Sequence, residues 1–372
     1  MENIPILENE GMLKNVKPNC LKKGDKIAIV SLSRGLLGED YCKHELDLAL
    51  TRLKEFGLEP VIMPNALKGM KYLEEHPEAR ASDLKTAFVD DSIKAIITAI
   101  GGIDTYKTIP YLMENEEFKK AVKNHPKIFT GFSDTTNNHL MLNRLGLSTF
   151  YGPCLLVDIA ELDSQMLPYT KEYFDKFFLN EDSFEITSSP IWYSDRKSYS
   201  ASELGKPRES HKEEHGYEVL NGNGIVIGKL YGGCIESIYD AFTGASFEDE
   251  PLVYEKYNIF PTEDEWKEKV LFLETSELMA TPEELEKMLM EFKKRNIFNL
   301  VKGLIVGKPI NEKYYNEYKE VYKKVFSDLD TPILFNANFG HSVPRCIIPY
   351  DAETTIDYNN KKIIIRTPIF FK

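Results

Sequence analysis

Along the first half of the chain, short apolar runs alternate with amphipathic stretches of helical period. Residues 24–33 (GDKIAIVSLS) read as a turn followed by a β run. Residues 40–57 carry apolar positions at helical spacing and close on glycine. A short strand follows at 59–64, then a helix at 81–90 with Ser82 as a candidate cap, then a buried strand at 92–100 that stops at Gly101 and Gly102. Residues 127–133 (KIFTGFS) form another strand, 135–146 a helix closing on glycine, and 147–153 a short strand. Repeated strand–helix units of this length predict a parallel sheet with helices on both faces. In such sheets the ligand site lies beyond the carboxyl ends of the strands. Three sharp breaks fall at those ends: Ser31-Leu32-Ser33-Arg34-Gly35, Gly101-Gly102 and Gly131-Phe132-Ser133-Asp134.

From about Leu155 the pattern changes. Residues 155–223 are polar, aromatic and charge-rich with weak periodicity, as expected of a bridging segment with exposed loops. Apolar runs return at Gly224, and helices are expected at 281–296 and 312–328. A second, β-rich domain fits this half. The expected division is 15–155, a bridging segment 156–223, and 224–372. A length of 372 residues suits two domains, each large enough to bury a core without disulfides.

Charge and cysteine usage narrow the function classes. A net charge of -13 opposes phosphate backbones and anionic membranes, so neither nucleic acid nor membrane is an expected partner. Five scattered cysteines, with no CxxC pair, read as reduced thiols in a cytoplasmic compartment. The N-terminal stretch MENIPILENEGMLKN is acidic and lacks a long apolar core, so no secretory signal is expected there.

The corner at Ser133 has two readings. Serine, aspartate and threonine are favoured helix caps, so the corner could simply start a helix. A sharp strand-to-helix turn also displays a hydroxyl and aims backbone N–H groups at a substrate carbonyl, the logic of the G-x-S-x-G elbow. Here the run is G-F-S-D-T, with Thr135 in place of the second glycine. Serine hydrolysis further needs a base and a partner that fixes its tautomer. Of seven histidines, His44, His76 and His125 read as solvated, and His139 turns to a different helix face. His211 and His215 form HKEEH, which lacks the glutamate directly after the first histidine that zinc peptidases use. His341 follows the apolar run PILFNANFG and sits at a strand end in a glycine-flanked loop, either as a core or capping histidine or as a held base. Glu274 ends the apolar strand KVLFLE, where a buried carboxylate needs a partner and histidine is a natural one. Glu277 is its competitor, expected to be exposed.

With Ser133, Glu274 and His341 in view, the sequence resembles the LD-carboxypeptidases, serine peptidases with a Ser-Glu-His triad. The likeness runs from about Leu21 to Asp357 through LKKGDKIAIVSLS, AIITAIGGIDTYKTIPYL, KIFTGFSDTTNNHLML, FYGP, GKLYGGCIESI, VLFLETSE, GLIVGKP and FGHSVPRCIIPYDAETTID, in family order. The resemblance implies Ser133 as nucleophile, His341 as general base and Glu274 as its orienting partner. It implies an oxyanion hole from the backbone N–H groups of Gly102 and Asp134, with Gly101 beside the substrate. It also implies a flavodoxin-like N-terminal domain, a smaller β-rich α/β C-terminal domain, and a homodimer. Ser133 would come from one domain, and Glu274 and His341 from the other.

Two stretches resemble the branch that includes the microcin-C self-immunity peptidase: IGG-IDTYKTIPYL, and the bridging run PIWYSDRKSYSASELGKPRESHKEEHGYEVLNGNG. In that branch a loop tryptophan is expected to stack on the substrate's nucleobase. Trp192 is the matching residue, and the other reading is that it packs the loop. Cys234 departs from the family, which often has Asn after the two glycines. The substrate expected is a small murein peptide or an aminoacyl-nucleotide, with no cofactor and no metal. The alternatives are an esterase of the α/β-hydrolase type and a non-catalytic two-domain binding protein. A dinucleotide-dependent enzyme fits poorly, since Gly101-Gly102 is not G-x-G-x-x-G.

Overall fold

The computed structural model describes residues 15–371; the N-terminal stretch read above for a signal lies, but for Asn15, outside them. Among the described residues, sixteen strands form two main sheets and one small ribbon. In chain order they are β1 (Lys26–Val30), β2 (Glu59–Ile62), β3 (Ile93–Thr98), β4 (Ile128–Gly131), β5 (Phe150–Tyr151), β6 (Phe184–Ile186), β7 (Ile191–Tyr193), β8 (Ser210–Lys212), β9 (Glu218–Asn221), β10 (Ile225–Cys234), β11 (Lys269–Glu274), β12 (Gly303–Gly307), β13 (Ile333–Ala337), β14 (Ile348–Pro349), β15 (Glu353–Asp357) and β16 (Lys362–Ile365).

The first sheet has the order β14-β5-β4-β3-β1-β2. Its neighbours from β2 to β5 are all parallel, as the strand–helix alternation predicts. The 2-1-3-4-5 order is that of flavodoxin-like sheets, and its direction reverses between β1 and β3. The loops after β1 and β3 therefore part there and leave a crevice. The second sheet has the order β6-β16-β15-β10-β11-β12-β13-β9. Its centre, β10 to β13, is parallel, and antiparallel strands flank it on both sides. The chain is thus mixed α/β, with a parallel sheet first and a second sheet after it. Among the described residues, no helix is long and apolar enough to cross a membrane.

Several elements differ from the sequence reading for clear local reasons. The helix expected at 81–90 is Pro77–Val89, because Pro77 supplies a preset φ at the first helical position. Ser82 is therefore internal and is no cap. The helix expected at 281–296 is Pro282–Lys294, closed at its start by a reciprocal box between Thr281 and Glu284. Within 155–223 lie four short strands of three or four residues. Two of them, β6 and β9, are edges of the second sheet. Such runs are too brief to establish a period.

Aromatic rings fill the seam between the sheets. Phe272 on β11 lies 5.6 Å from Tyr151 on β5, 5.2 Å from Tyr350 and 5.7 Å from Phe339, measured between ring centroids. The Tyr350 hydroxyl donates to the Gly232 carbonyl, and β14 pairs with β5, so the C-terminal part is stitched to the first sheet. Phe272→Ala is expected to cost about 3–5 kcal/mol, read as a fall in the urea midpoint with an unchanged slope. A loss below about 1 kcal/mol would mean the seam is not a packed core.

Candidate active site

β4 ends at Gly131, and Phe132 is still extended. Ser133 then adopts φ +65°, the left-handed region that β-substituted residues enter at a cost of about 1–3 kcal/mol. The following helix, Thr136–Arg144, has no side-chain cap, so the capping reading of Ser133 is not what the structure shows. The strained turn is held from both sides. The Ser133 N–H donates to the Tyr151 hydroxyl at 3.0 Å. The Asp134 carboxylate accepts from the Ser33 hydroxyl at 2.6 Å, the Thr105 N–H at 2.9 Å and the Asn137 amide at 2.8 Å. Ser33 also accepts from the Ile103 N–H at 3.2 Å. One hydroxyl thus ties the turn carrying Ser133 to the loop after β3. Beneath it His139, fully buried and lowered to about 3 by that burial, holds the Gly131 carbonyl at 2.9 Å.

The loop after β3 lies directly on Ser133. A Cβ on Gly101 would come within 2.7 Å of the Ser133 Cβ and 3.2 Å of the Asp134 nitrogen. Gly102 has φ +157°, and a Cβ there would meet the Ser33 hydroxyl at 2.2 Å. The two glycines let backbone rather than side chain face the serine.

Glu274 ends β11 and is 1 % exposed. It accepts from the His341 ring Nδ1 at 2.8 Å and from the His341 backbone N–H at 3.1 Å. The Tyr151 hydroxyl donates to its other oxygen. Gly340, at φ +74°, makes room for this: a Cβ there would fall 2.2 Å from the Glu274 carboxyl carbon. The expected Glu274–His341 pairing is therefore present. Glu277, the competitor, binds the same ring: its Oε2 lies 2.9 Å from His341 Nε2, with a side chain 58 % exposed. Burial opposes charge on His341, but the Glu274 and Glu277 carboxylates outweigh it and hold the imidazole up at about 10. The hydrogen bond from His341 draws Glu277 down to about 2.

Ser133, His341 and Glu277 line one cavity of about 500 Å³, together with Gly101, Gly102 and Arg34. The Ser133 hydroxyl makes no hydrogen bond among the described residues, and Nε2 of the imidazole is taken up by Glu277. The cavity is also lined by Tyr41, Tyr199 and two arginines already paired with acids, Arg208 with Glu161 and Asp195, and Arg345 with Asp158. The charge of Arg34 also favours the ionised form of Glu277.

Other expected residues are placed elsewhere. Trp192 is 9 % exposed, stacked on His211 at 4.0 Å with the Lys308 ammonium over its ring, and does not line this cavity. His215 stacks separately on Tyr315, so the two histidines of HKEEH serve different partners. His44 is not fully solvated, since its Nε2 meets the Tyr199 carbonyl at 2.9 Å. Cys234 Sγ, a Glu274 oxygen and a His341 nitrogen lie within 4.8 Å of one another. Their donors and acceptors are committed within the protein: the thiol donates to Glu236 at 3.2 Å, and Glu274 serves His341. We read this cluster as hydrogen-bonded rather than as a metal centre. Tyr151, Ser33 and Glu236 were not anticipated. Each lies inside a quoted motif, but a tyrosine or serine in an apolar strand reads simply as core.

The raised His341 sets a pH window. Stability from its charged form is complete below about pH 6.5 and is lost as pH rises through about 10. Wild type should therefore lose more stability than Glu274→Gln across that window. Equal slopes in denaturant titrations of the two proteins would contradict the pairing.

Comparison with known proteins places these features in a family. Residues 27–152 match the model of the LD-carboxypeptidase N-terminal domain, and residues 227–356 that of the LD-carboxypeptidase C-terminal domain. A probable murein peptide carboxypeptidase of Bacillus subtilis is 26% identical over 95% of this chain and 96% of its own length. The microcin C7 self-immunity protein MccF of Escherichia coli is 26% identical over 77% of each chain. The crystal structure of an MccF-like protein from Streptococcus pneumoniae in complex with AMP superposes with TM-score 0.86, at 44% identity, covering 91% of this chain and 98% of that one.

Proposed function

The chain belongs to the LD-carboxypeptidase family, and from that premise we propose that it hydrolyses an amide bond in a small peptide-like substrate through Ser133, His341 and Glu274. The observation that carries this reading is the buried Glu274–His341 pair opening on the same cavity as a serine held in a left-handed turn. In this reading neutral His341 keeps Nδ1–H on Glu274 and presents a lone pair at Nε2. Ser133 Oγ attacks the scissile carbonyl carbon while its proton passes to Nε2. The carbonyl π pair moves onto oxygen, where the N–H groups of Gly102 and Asp134 receive it. Collapse breaks the C–N bond, and His341 returns the proton to the leaving nitrogen. Water then repeats the sequence on the acyl-enzyme and releases the acid.

The favoured substrate class is an aminoacyl-nucleotide. It is supported by the likeness to the AMP-bound streptococcal protein and by the aromatic and basic residues that line the cavity. A murein LD-peptide is the second reading, supported by the Bacillus subtilis relative. The proposal extends to a homodimer in the cytoplasm; sedimentation as a monomer at micromolar concentration contradicts the dimer.

Ser133→Ala is expected to cut kcat by about 10⁴–10⁶ with substrate binding kept. Gly102→Val is expected to cost about 10²–10³ in kcat, the scale of one lost oxyanion donor. Mass spectrometry of products from both substrate types checks these values. Retention of most activity by Ser133→Ala would refute the assignment.

A further inference from the structure

His341 is gripped at both ring nitrogens by acceptors. A carboxylate only accepts, so Nδ1 donates to Glu274 and Nε2 donates to Glu277. A ring in that state has no lone pair for the Ser133 proton. The two carboxylates are held very differently. Glu274 is 1 % exposed and fixed by three protein donors. Glu277 touches the ring with a side chain 58 % exposed, next to Leu278 at 77 %. Its root is anchored, because the N–H and hydroxyl of Ser276 both donate to Glu236 at 2.9 Å. Rotation of the Glu277 side chain alone therefore uncovers Nε2.

What would draw it away is set by charge. Three acids line the cavity, Glu45, Asp195 and Glu277. Asp195 is paired with Arg208, and Glu45 is buried and hydrogen-bonded beside Cys42. Glu277 is the acid whose counter-charge is the imidazolium itself. We propose that Glu277 is a displaceable cap on His341, and that the ammonium group on the acyl side of the substrate removes it by taking over its carboxylate. The proposal rests on the reading of His341 as general base. It names the recognised chemistry: both substrate classes above carry an amine on the acyl side of the scissile bond. On displacement the Nε2 proton leaves to solvent, and the freed lone pair accepts the proton of Ser133.

The groups facing His341 are Glu274 at the end of β11, Glu277 after it, Tyr151 from β5 through Glu274, Cys234 from the end of β10, and the Phe132 ring at 5.0 Å; the Arg345 guanidinium packs over that ring, and Arg34 faces Glu277. Among them Glu277 is the exposed carboxylate in direct contact.

The test uses matched probes: an aminoacyl sulfamoyl adenosine and its N-acetyl form, and a tetrapeptide with lysine before its terminal D-alanine and the Nε-acetyl form. Wild type should favour the free amine by about tenfold or more in kcat/KM, and E277Q should bring the ratio within about threefold. The acid limb of kcat/KM should move down by at least about one pH unit in E277Q, since one carboxylate no longer favours the imidazolium. Histidine NMR of Ser133→Ala reports the cap without turnover: the free-amine probe should lower the His341 pKa and the acetylated probe should not. An unchanged amine preference in E277Q, or an equal His341 pKa with and without Glu277, overturns the cap. Absence of hydrolysis of every probe by wild type overturns the proposed function instead, and the NMR comparison then still decides the cap.

Discussion

A single buried carboxylate organises the centre of this molecule. Glu274 sits at the end of a strand buried at every position, where an unpaired charge would be untenable. Its donors come from different parts of the chain: the Tyr151 hydroxyl from the first sheet, and the ring and backbone of His341 from the loop after β13. Satisfying one charge therefore requires the two sheets to dock in one register. The aromatic seam around Phe272 excludes water from the same place, which strengthens each of those hydrogen bonds.

The same tyrosine carries the constraint to the serine. Its hydroxyl donates to Glu274 and accepts from the Ser133 N–H, so the buried carboxylate and the turn carrying Ser133 are braced through one oxygen. Strain at Ser133 is offset locally by that bond and by the three donors on Asp134. Glycines then stand wherever a side chain would collide with this assembly, Gly101 against Ser133 and Gly340 against Glu274. The crevice between β1 and β3 supplies the opening, and the sheet order places it there.

Much of this was legible because its signals are local. Strand–helix alternation specifies a parallel sheet, and the break after β4 marks Ser133. The acid ending KVLFLE and the histidine after PILFNANFG were both recognisable as ionisable groups at strand ends. What escaped notice depends on distance in sequence. Tyr151 matters because it meets Glu274 across 123 positions, and nothing near Phe-Tyr-Gly-Pro announces that. Glu277 was weighed as a rival for one nitrogen of His341, whereas the ring has two and both acids are bound. Trp192 was legible as an aromatic residue in a polar stretch, but its stacking on His211 was not, because it depends on the pairing of β7 with β8, strands of three residues each.

Cys234 gives the sharpest test of which nucleophile the site offers. Its sulfur lies within 4.8 Å of a His341 nitrogen, so a cysteine–histidine couple is a geometric rival to the serine. A thiol attacks as thiolate, which requires a lowered pKa and access to substrate. Here burial, and then the neighbouring Glu236 and Glu274, push the Cys234 thiol well above its usual value. It is 2 % exposed, donates to Glu236 and does not line the cavity. Anionic neighbours that hold His341 charged hold Cys234 neutral, because the same negative field favours a cation and opposes an anion. Serine needs no such prior ionisation, since its proton is transferred as the bond forms. A centre built on buried carboxylates is thus compatible with a hydroxyl nucleophile and hostile to a thiolate.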